Sequence, residues 1–153
     1  FDLIVNTMVK AALTTGTITV NNPSIWRPLL DIRDDVSAFL RAVQAGDGLS
    51  GVFNVASGNF TVGQVADLVK EELERETGQR VRLDIRDVQD YRNYKVSCER
   101  AKVELGFQPQ YSVKDMVAEI MAHRADYGDF ERDKFYNIRV FTALAERARD
   151  GRA

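Results

Sequence analysis

The chain has 153 residues, enough for one domain with its own core, and its 44% hydrophobic and 29% charged residues are ordinary for a soluble globular protein. A net charge of −2 gives no reason to expect nucleic acid or an anionic membrane as a partner, and no apolar run approaches the length of a membrane span. One histidine and one cysteine leave little material for a metal site, and the single cysteine fits a reducing, cytoplasmic location.

The N-terminal pattern predicts a helix followed by a strand. Apolar residues recur at helical spacing from Leu3 to Ala12, and Gly16 is placed to end that helix. The β-branched run 17–20 then predicts a short strand. Because the apolar pattern is already under way at Phe1, with no methionine before it, we expect the chain to be a piece of a longer protein.

Extended structure is predicted again after the polar loop 21–24, over residues 29–32. Asp34 or Asp35 is then expected to cap a helix that continues to Ala45. The compact apolar run 52–55 predicts a further strand, which a turn at 57–59 follows.

Capping signals mark the helices of the second half. Thr61 with Gln64, and Ser112 with Asp115, have the spacing of the capping box, and the helix after Thr61 is expected to end near Gly78. Residues 81–85 alternate apolar and charged side chains, which predicts a strand that is solvated on one face.

Two more helices are expected toward the C-terminus. Ser97 can cap a short helix that ends at Gly106. A last amphipathic segment, from about 133 to 149, places Val140, Phe141 and Leu144 on one face. The other aromatic residues of this tail are expected, with Phe141, to pack against the rest of the chain: Tyr127, Phe130, Phe135 and Tyr136.

This order of elements predicts a mixed α/β lobe over residues 1–125 and a helical extension over 126–153. The sequence contains no glycine-rich GxGxxG turn and no GxxxxGK[ST] loop, and its one histidine, His123, is predicted on a helix. The acidic residues Asp31, Asp34 and Asp35 are better explained by helix capping than by a divalent cation. We therefore predict no catalytic residue, no cofactor-binding residue and no metal ligand within this chain.

Several segments taken together resemble a known family: "FDLIVNTMV", "GTITV", "WRPLLDIRD", "VFNVASGNFTVGQVADLV" and "YRNYKVSCERAKVELGFQPQYSVKDMV". In order and spacing they resemble the C-terminal half of the extended short-chain dehydrogenase/reductases, in particular the NAD-dependent sugar-nucleotide epimerases and dehydratases. The resemblance covers roughly residues 1–125. It implies a substrate-binding lobe that completes a Rossmann-fold enzyme, whose NAD(P)-binding half, with its glycine-rich loop and YxxxK catalytic pair, is absent here.

The resemblance also implies a set of binding residues. Asn6 would border the sugar-nucleotide pocket, Val20 would belong to the strand beside the nucleoside base, and Arg27 and Arg92 would contact the diphosphate from two sides. Asn54 matches a scaffold position. The forked arginine side chain suits phosphate oxygens in any protein, so the chemistry agrees with the family.

Each of these residues also has a structural explanation that stays open. Arg27 could lie over Trp26 and pair with Asp31, and Arg92 could pack against Tyr91 and Tyr94. Asp31 departs from the family, which usually has histidine at this position. Asn6 could be a polar position on a helix surface, and Trp26 is expected to be a packing residue.

For the full-length protein the resemblance implies a nucleoside-diphosphate sugar as ligand, transient oxidation of that sugar by NAD, the missing Rossmann half as partner, and a homodimer. The nucleotide base and the reaction type stay open. A second hypothesis is a protein that kept this fold without catalysis and serves as a nucleotide-sensing or scaffold module. A third is a stand-alone interaction domain built on the aromatic tail.

Overall fold

A computed structural model describes residues 1–46, 48–89 and 92–150 of the chain. The helices and strands follow one another in the predicted order of a mixed α/β lobe: α1 (Ile4–Thr15), β1 (Thr17–Asn21), β2 (Trp26–Leu29), α2 (Ile32–Gln44), β3 (Gly58–Thr61), α3 (Val62–Thr77), β4 (Arg82–Arg86), α4 (Glu99–Leu105), α5 (Val113–Ala122), α6 (Arg124–Tyr127) and α7 (Asn137–Asp150). A 3₁₀ helix, Asp133–Phe135, precedes α7.

The strands of the described residues form two separate pairs. β1 and β4 run parallel, with Val20 opposite Ile85. β2 and β3 run antiparallel, with Arg27 opposite Phe60. A parallel pair needs a long crossover, and here that crossover contains β2, α2, β3 and α3. The strand that carries Arg27 therefore belongs to a different two-stranded sheet from β1 and β4.

The main core lies between α1, α3, α5 and β1. Val9, Ile18, Val65 and Val117 are completely enclosed there. A second, smaller apolar cluster joins α2 to α4 and the loop after α4, and it consists of Ala38, Ala101, Leu105 and Phe107. The first cluster holds the lobe together, and the second supports the segment that leads into α4.

Local capping signals predicted most helix ends correctly. Both capping boxes are present, since Thr61 accepts from the Gln64 N–H and Ser112 accepts from the Asp115 N–H. Gly16 ends α1 in the left-handed conformation at φ 68°, which an L side chain rarely adopts. These ends are fixed by residues within about four positions of one another, so the sequence alone is enough to locate them.

The N-cap of α2 was predicted wrongly. The cap is Asp31, not Asp34 or Asp35, because Asp31 has extended backbone and its side chain accepts from the Arg33 N–H. The helix consequently begins at Ile32, and Asp34 lies inside its first turn with a buried side chain. Similarly, the N-cap of α4 is Cys98, although the Ser97 hydroxyl accepts from the Glu99 N–H at 3.4 Å.

The predicted strand at 52–55 is also wrong, because this segment forms no strand in the structure. β3 lies further along the chain, at Gly58–Thr61. The apolar residues of 52–55 favour extended backbone, but a strand also needs a neighbour to accept and donate its hydrogen bonds. No described segment supplies that neighbour.

The tail after α5 packs against α1. The Phe1 ring meets the rings of Tyr127 and Phe130 edge to face, at centroid distances of 5.4 and 5.1 Å. Lys10 donates to Glu131 at 2.7 Å and to the hydroxyl of Tyr136 at 2.8 Å.

The aromatic residue farthest along the tail behaves differently. Phe141 does not pack as expected, since its side chain is 68% exposed on α7 together with Ile138 and Leu144. None of the described helices is long and apolar enough to cross a membrane.

Candidate functional site

Residues 92–98, called the crossing segment here, lie across the start of β2 and the middle of β3. The Trp26 N–H donates to Asn93 Oδ1 at 2.8 Å, and the Tyr94 N–H donates to the Trp26 carbonyl at 3.4 Å. The Asn59 side chain donates to the Val96 carbonyl and accepts from the Val96 N–H, at 2.9 Å each. Asparagine amides thus take the place of a strand ladder, since one side-chain amide can donate and accept like a peptide group.

Arg27 is fixed against this segment. It is half-buried in β2, and its Nη1 donates to the Trp26 carbonyl at 2.9 Å and to the backbone carbonyl of Arg92. Its guanidinium carbon lies 5.9 Å from the centroid of the Tyr94 ring. The structure therefore brings Arg27 and Arg92, which the sequence separates widely, next to each other.

The structure bears differently on the alternative contacts that the sequence left open for Arg27 and Arg92. The Asp31 carboxylate is bound by Arg33, with Nε–Oδ1 and Nη2–Oδ2 distances of 2.9 Å, so the alternative partner considered for Arg27 is bound by another cation. Arg92 is exposed. Its predicted packing partner Tyr91 lies outside the described residues.

Lys95 joins this group, although the sequence analysis did not single it out. Its Nζ lies 3.5 Å from the centroid of the Trp26 ring, well inside the range of a cation–π contact. The run "YRNYK" alternates aromatic and cationic side chains, and that alternation was the available signal. Trp26 is therefore a packing residue, as expected, and its ring packs against the Lys95 ammonium group.

Asn6 and Val20 lie in the other part of the lobe. Asn6 is half-buried on α1, which packs against β1. Val20 is only 1% exposed in β1, so a ligand would meet the backbone of this strand rather than the valine side chain. Asn54 is exposed in the segment 52–55.

Two of the three aspartates at the start of α2, Asp31 and Asp34, act as structural acceptors. Asp34 accepts from the Ser57 hydroxyl and from the backbone N–H groups of Gln110 and Tyr111. Asp31 caps the helix and binds Arg33, whose guanidinium stacks on the Tyr111 ring at 3.7 Å. Asp31 thus builds the start of α2.

Asp31 should make the stability of the chain depend on pH. The hydrogen bond from the Arg33 guanidinium holds the pKa of the Asp31 carboxyl below its ordinary value of 3.8. A carboxyl with a lowered pKa stabilises the folded state above its unfolded pKa, and this stabilisation is lost as the pH falls through the folded pKa. We expect Asp31→Asn, which keeps a capping oxygen but loses the ion pair, to lower the free energy of unfolding by about 1 kcal/mol at pH 7.

The difference between wild type and Asp31→Asn should begin to shrink below about pH 4, because the Asp31 carboxyl of the unfolded chain is protonated there, and it should continue to shrink as the pH falls toward the lower pKa of the folded carboxyl. Urea denaturation followed by tryptophan fluorescence between pH 7 and pH 3 measures it, with Asp35→Asn as the matched control in the same helix turn. A difference that stays constant over this range contradicts the assignment of the ion pair to Asp31.

Comparison with known proteins gives matches at the level of structure. No protein-family model and no curated protein matches the chain. UDP-glucose-4-epimerase from Stenotrophomonas maltophila, solved with NAD and formylated UDP-arabinopyranose, matches with a TM-score of 0.67 and 20% identity, over 82% of this chain and 40% of that chain. UDP-glucuronic acid 4-epimerase from Bacillus cereus, in complex with UDP-glucuronic acid and NAD, matches with a TM-score of 0.63 and 16% identity, over 76% of this chain and 38% of that chain.

The chain has the fold of the C-terminal part of the extended short-chain dehydrogenase/reductases. This confirms the fold that the sequence motifs implied. A further match is a GalE-like L-threonine dehydrogenase from Cupriavidus necator in its holo form, with a TM-score of 0.59 and 25% identity, over 75% of this chain and 39% of that chain. The chain thus spans 38–40% of the length of these solved structures. The names of these neighbours give different substrates, so the fold alone does not identify the ligand of this chain.

Proposed function

We propose that this chain is the substrate-binding portion of an NAD(P)-dependent sugar-nucleotide epimerase or dehydratase, and that Arg27 and Arg92 hold the diphosphate of the nucleotide. The observation that carries the proposal is the hydrogen bond from the Arg27 guanidinium to the Arg92 backbone carbonyl, which brings the exposed residue Arg92 against the side chain of Arg27. Two of the neighbours with this fold were solved with a UDP-sugar bound.

The chemistry of the pair fits a diphosphate. Arginine offers several N–H donors in a planar fork, and a diphosphate spreads its negative charge over many oxygens. Each charge-assisted hydrogen bond of this kind contributes about 1.5–3 kcal/mol when it is well formed. Because Arg27 and Arg92 come from different segments, they can reach the anion from two directions. Asn6 and the backbone of β1 are proposed to border the sugar and the base.

The cofactor residues are not part of this chain. Its sequence has no glycine-rich turn, and the neighbours whose names include NAD are more than twice as long as the region that matches. The NAD(P) would be held by an NAD-binding half that the chain does not include. The residues described here bind and orient the nucleotide, and no step of the redox chemistry is assigned to them.

An exposed apolar face supports the existence of such a partner half. Ile32, Val36, Phe39 and Val43 form one stripe along α2, and Phe39 and Val43 are 68% and 82% exposed. The apolar segment 52–55 also has no strand partner among the described residues. A sheet-containing layer would cover both features at once, and we propose that the NAD-binding half of the same enzyme is that layer. A homodimer stays a prediction.

The experiment that tests the diphosphate assignment is a titration of UDP into the chain and its arginine variants. Trp26 is the only tryptophan and lies at the site, so its fluorescence reports binding directly. We expect Arg92→Ala to weaken UDP binding about tenfold, which corresponds to about 1.4 kcal/mol. Arg92→Ala is the cleaner variant, because Arg27 bonds the Arg92 backbone, which the substitution leaves in place.

Arg132→Ala is the matched control, since Arg132 is an exposed arginine in the tail and should leave the affinity unchanged. Equal UDP affinities in wild type and Arg92→Ala contradict the role of Arg92. No UDP binding by the wild-type chain contradicts the nucleotide proposal, and the L-threonine dehydrogenase neighbour then names the next ligand to test.

Nucleotide binding alone does not separate an enzyme from a nucleotide-sensing module with the same fold. A Tyr-x-x-x-Lys pair and a glycine-rich loop in the full-length sequence favour the enzyme, and their absence favours the module.

A further inference from the structure

Lys95 occupies a defined place on the surface that carries the two arginines. Its ammonium group lies over the face of the Trp26 indole, at 3.5 Å from the ring centroid. The carbonyl of the same tryptophan accepts from Arg27. One tryptophan residue therefore holds two cations from different segments, one through its backbone and one through its ring.

The surroundings leave the Lys95 ammonium available to a ligand. The side chain is exposed, and no described carboxylate lies within ion-pair distance of its Nζ. The acidic side chains of the adjoining elements bind other cations: Asp31 binds Arg33, and Asp84 binds Arg86. A cation–π contact occupies one side of the ammonium and leaves its other N–H donors directed at solvent.

We infer that Lys95 is a third cation of this surface and that it makes the site select a diphosphate over a shorter group with less negative charge. The inference rests on the proposed function, because it assigns Lys95 to the same ligand. A carboxylate, such as that of an amino acid, carries one negative charge, and a fork of one arginine matches it. A nucleoside diphosphate carries more negative charge, spread over a longer group. An additional positive charge beside the arginines therefore strengthens mainly the binding of the diphosphate.

The position of Lys95 is set before any ligand arrives. The crossing segment is held by Asn93 at Trp26 and by Asn59 at Val96, on either side of Lys95 in the chain. The indole then restricts the flexible lysine side chain. Because this rotamer freedom is already lost in the free protein, less entropy is lost when a ligand binds. Lys95 is thus a binding residue whose orientation is prepared by its own protein.

The test compares Lys95→Gln with Lys95→Arg, and uses UDP, UMP and inorganic pyrophosphate as probes with Trp26 fluorescence as the signal. We expect Lys95→Gln to weaken UDP and pyrophosphate binding about tenfold and UMP binding by less than threefold, while Lys95→Arg stays close to wild type. Lys114→Gln, in which a lysine on α5 loses its charge, is the matched control and should leave all affinities unchanged.

A second measurement does not depend on nucleotide affinity. Iodide, an anion, should quench Trp26 fluorescence less in Lys95→Gln than in wild type, and neutral acrylamide should quench both equally. Equal iodide quenching, or equal UDP affinity in wild type and Lys95→Gln, overturns the role of Lys95 and leaves the nucleotide function standing. A wild-type chain that binds neither UDP nor pyrophosphate overturns the diphosphate assignment itself, and the inference falls with it.

Discussion

Replacing Asp34 with alanine is expected to lower the free energy of unfolding by about 2–4 kcal/mol. The carboxylate is 1% exposed and accepts from the Gln110 N–H at 2.8 Å, the Tyr111 N–H at 3.2 Å and the Ser57 hydroxyl at 2.9 Å. The substitution leaves two backbone N–H groups without this acceptor, and each buried donor that stays unsatisfied costs about 1–3 kcal/mol.

Urea denaturation of the chain at pH 7 measures this cost. Asp35→Ala is the control, because Asp35 lies in the same helix turn and is less buried, so it should change stability by less than about 0.5 kcal/mol. Asp34→Asn should fall between the two, since an amide keeps one accepting oxygen but adds donors that the site does not need. A loss below 1 kcal/mol for Asp34→Ala would show that water replaces the carboxylate.

The Asp34 network also bears on the candidate site. The Ser57 hydroxyl donates to Asp34 and accepts from the Asp31 N–H at 3.0 Å, so it ties the cap of α2 to the first turn of the same helix. Asp31 follows β2, the strand that carries Arg27, after a single intervening residue. A loosened start of α2 should therefore move the end of the strand that carries Arg27.

The same network shows why sequence reasoning misplaced the cap. Asp31, Asp34 and Asp35 are all suitable capping residues, and local spacing does not choose among them. The choice is made by Ser57 and by the loop at 110–111, both of which meet Asp34 only in the folded chain. Thr61 and Ser112 were predicted correctly because each capping box is complete within four residues.

The segment 52–55 illustrates a second limit. Its residues have the composition of a strand, but strand formation depends on a partner that the described residues do not supply. The exposed stripe on α2 shows the same limit, because the helical spacing of its apolar side chains is local, whereas no described segment covers them.

The candidate site was only partly accessible from the sequence. Arg27 and Arg92 were chosen through the resemblance, and the structure joins them through a backbone carbonyl that no sequence pattern encodes. Lys95 was missed, since it lies on the crossing segment while its partner Trp26 lies on β2, far away in the sequence. Hydrogen bonds such as that from the Val96 N–H to the Asn59 side chain set the position of the crossing segment. An isolated asparagine has no recognisable spacing in the sequence, so these bonds were not predictable.

Replacing Phe107 with alanine is expected to have the largest effect on stability, a loss of about 3–5 kcal/mol. Phe107 is 1% exposed and is the largest side chain of the cluster that joins α2 to α4. Truncation removes most of that ring's buried apolar surface and leaves a cavity, because the alanines and Leu105 around it are too small to fill the space.

Thermal and urea unfolding of Phe107→Ala, compared with Val103→Ala, measure this loss. Val103 lies on the same helix α4 but is 72% exposed, so its truncation should cost less than about 0.5 kcal/mol. The cluster holds α4 against α2, and the crossing segment with Arg92 and Lys95 leads directly into α4. Phe107→Ala should therefore weaken UDP binding as well as stability. An unchanged unfolding midpoint would contradict this role of Phe107 and would mean that α2 and α4 unfold separately from the main core.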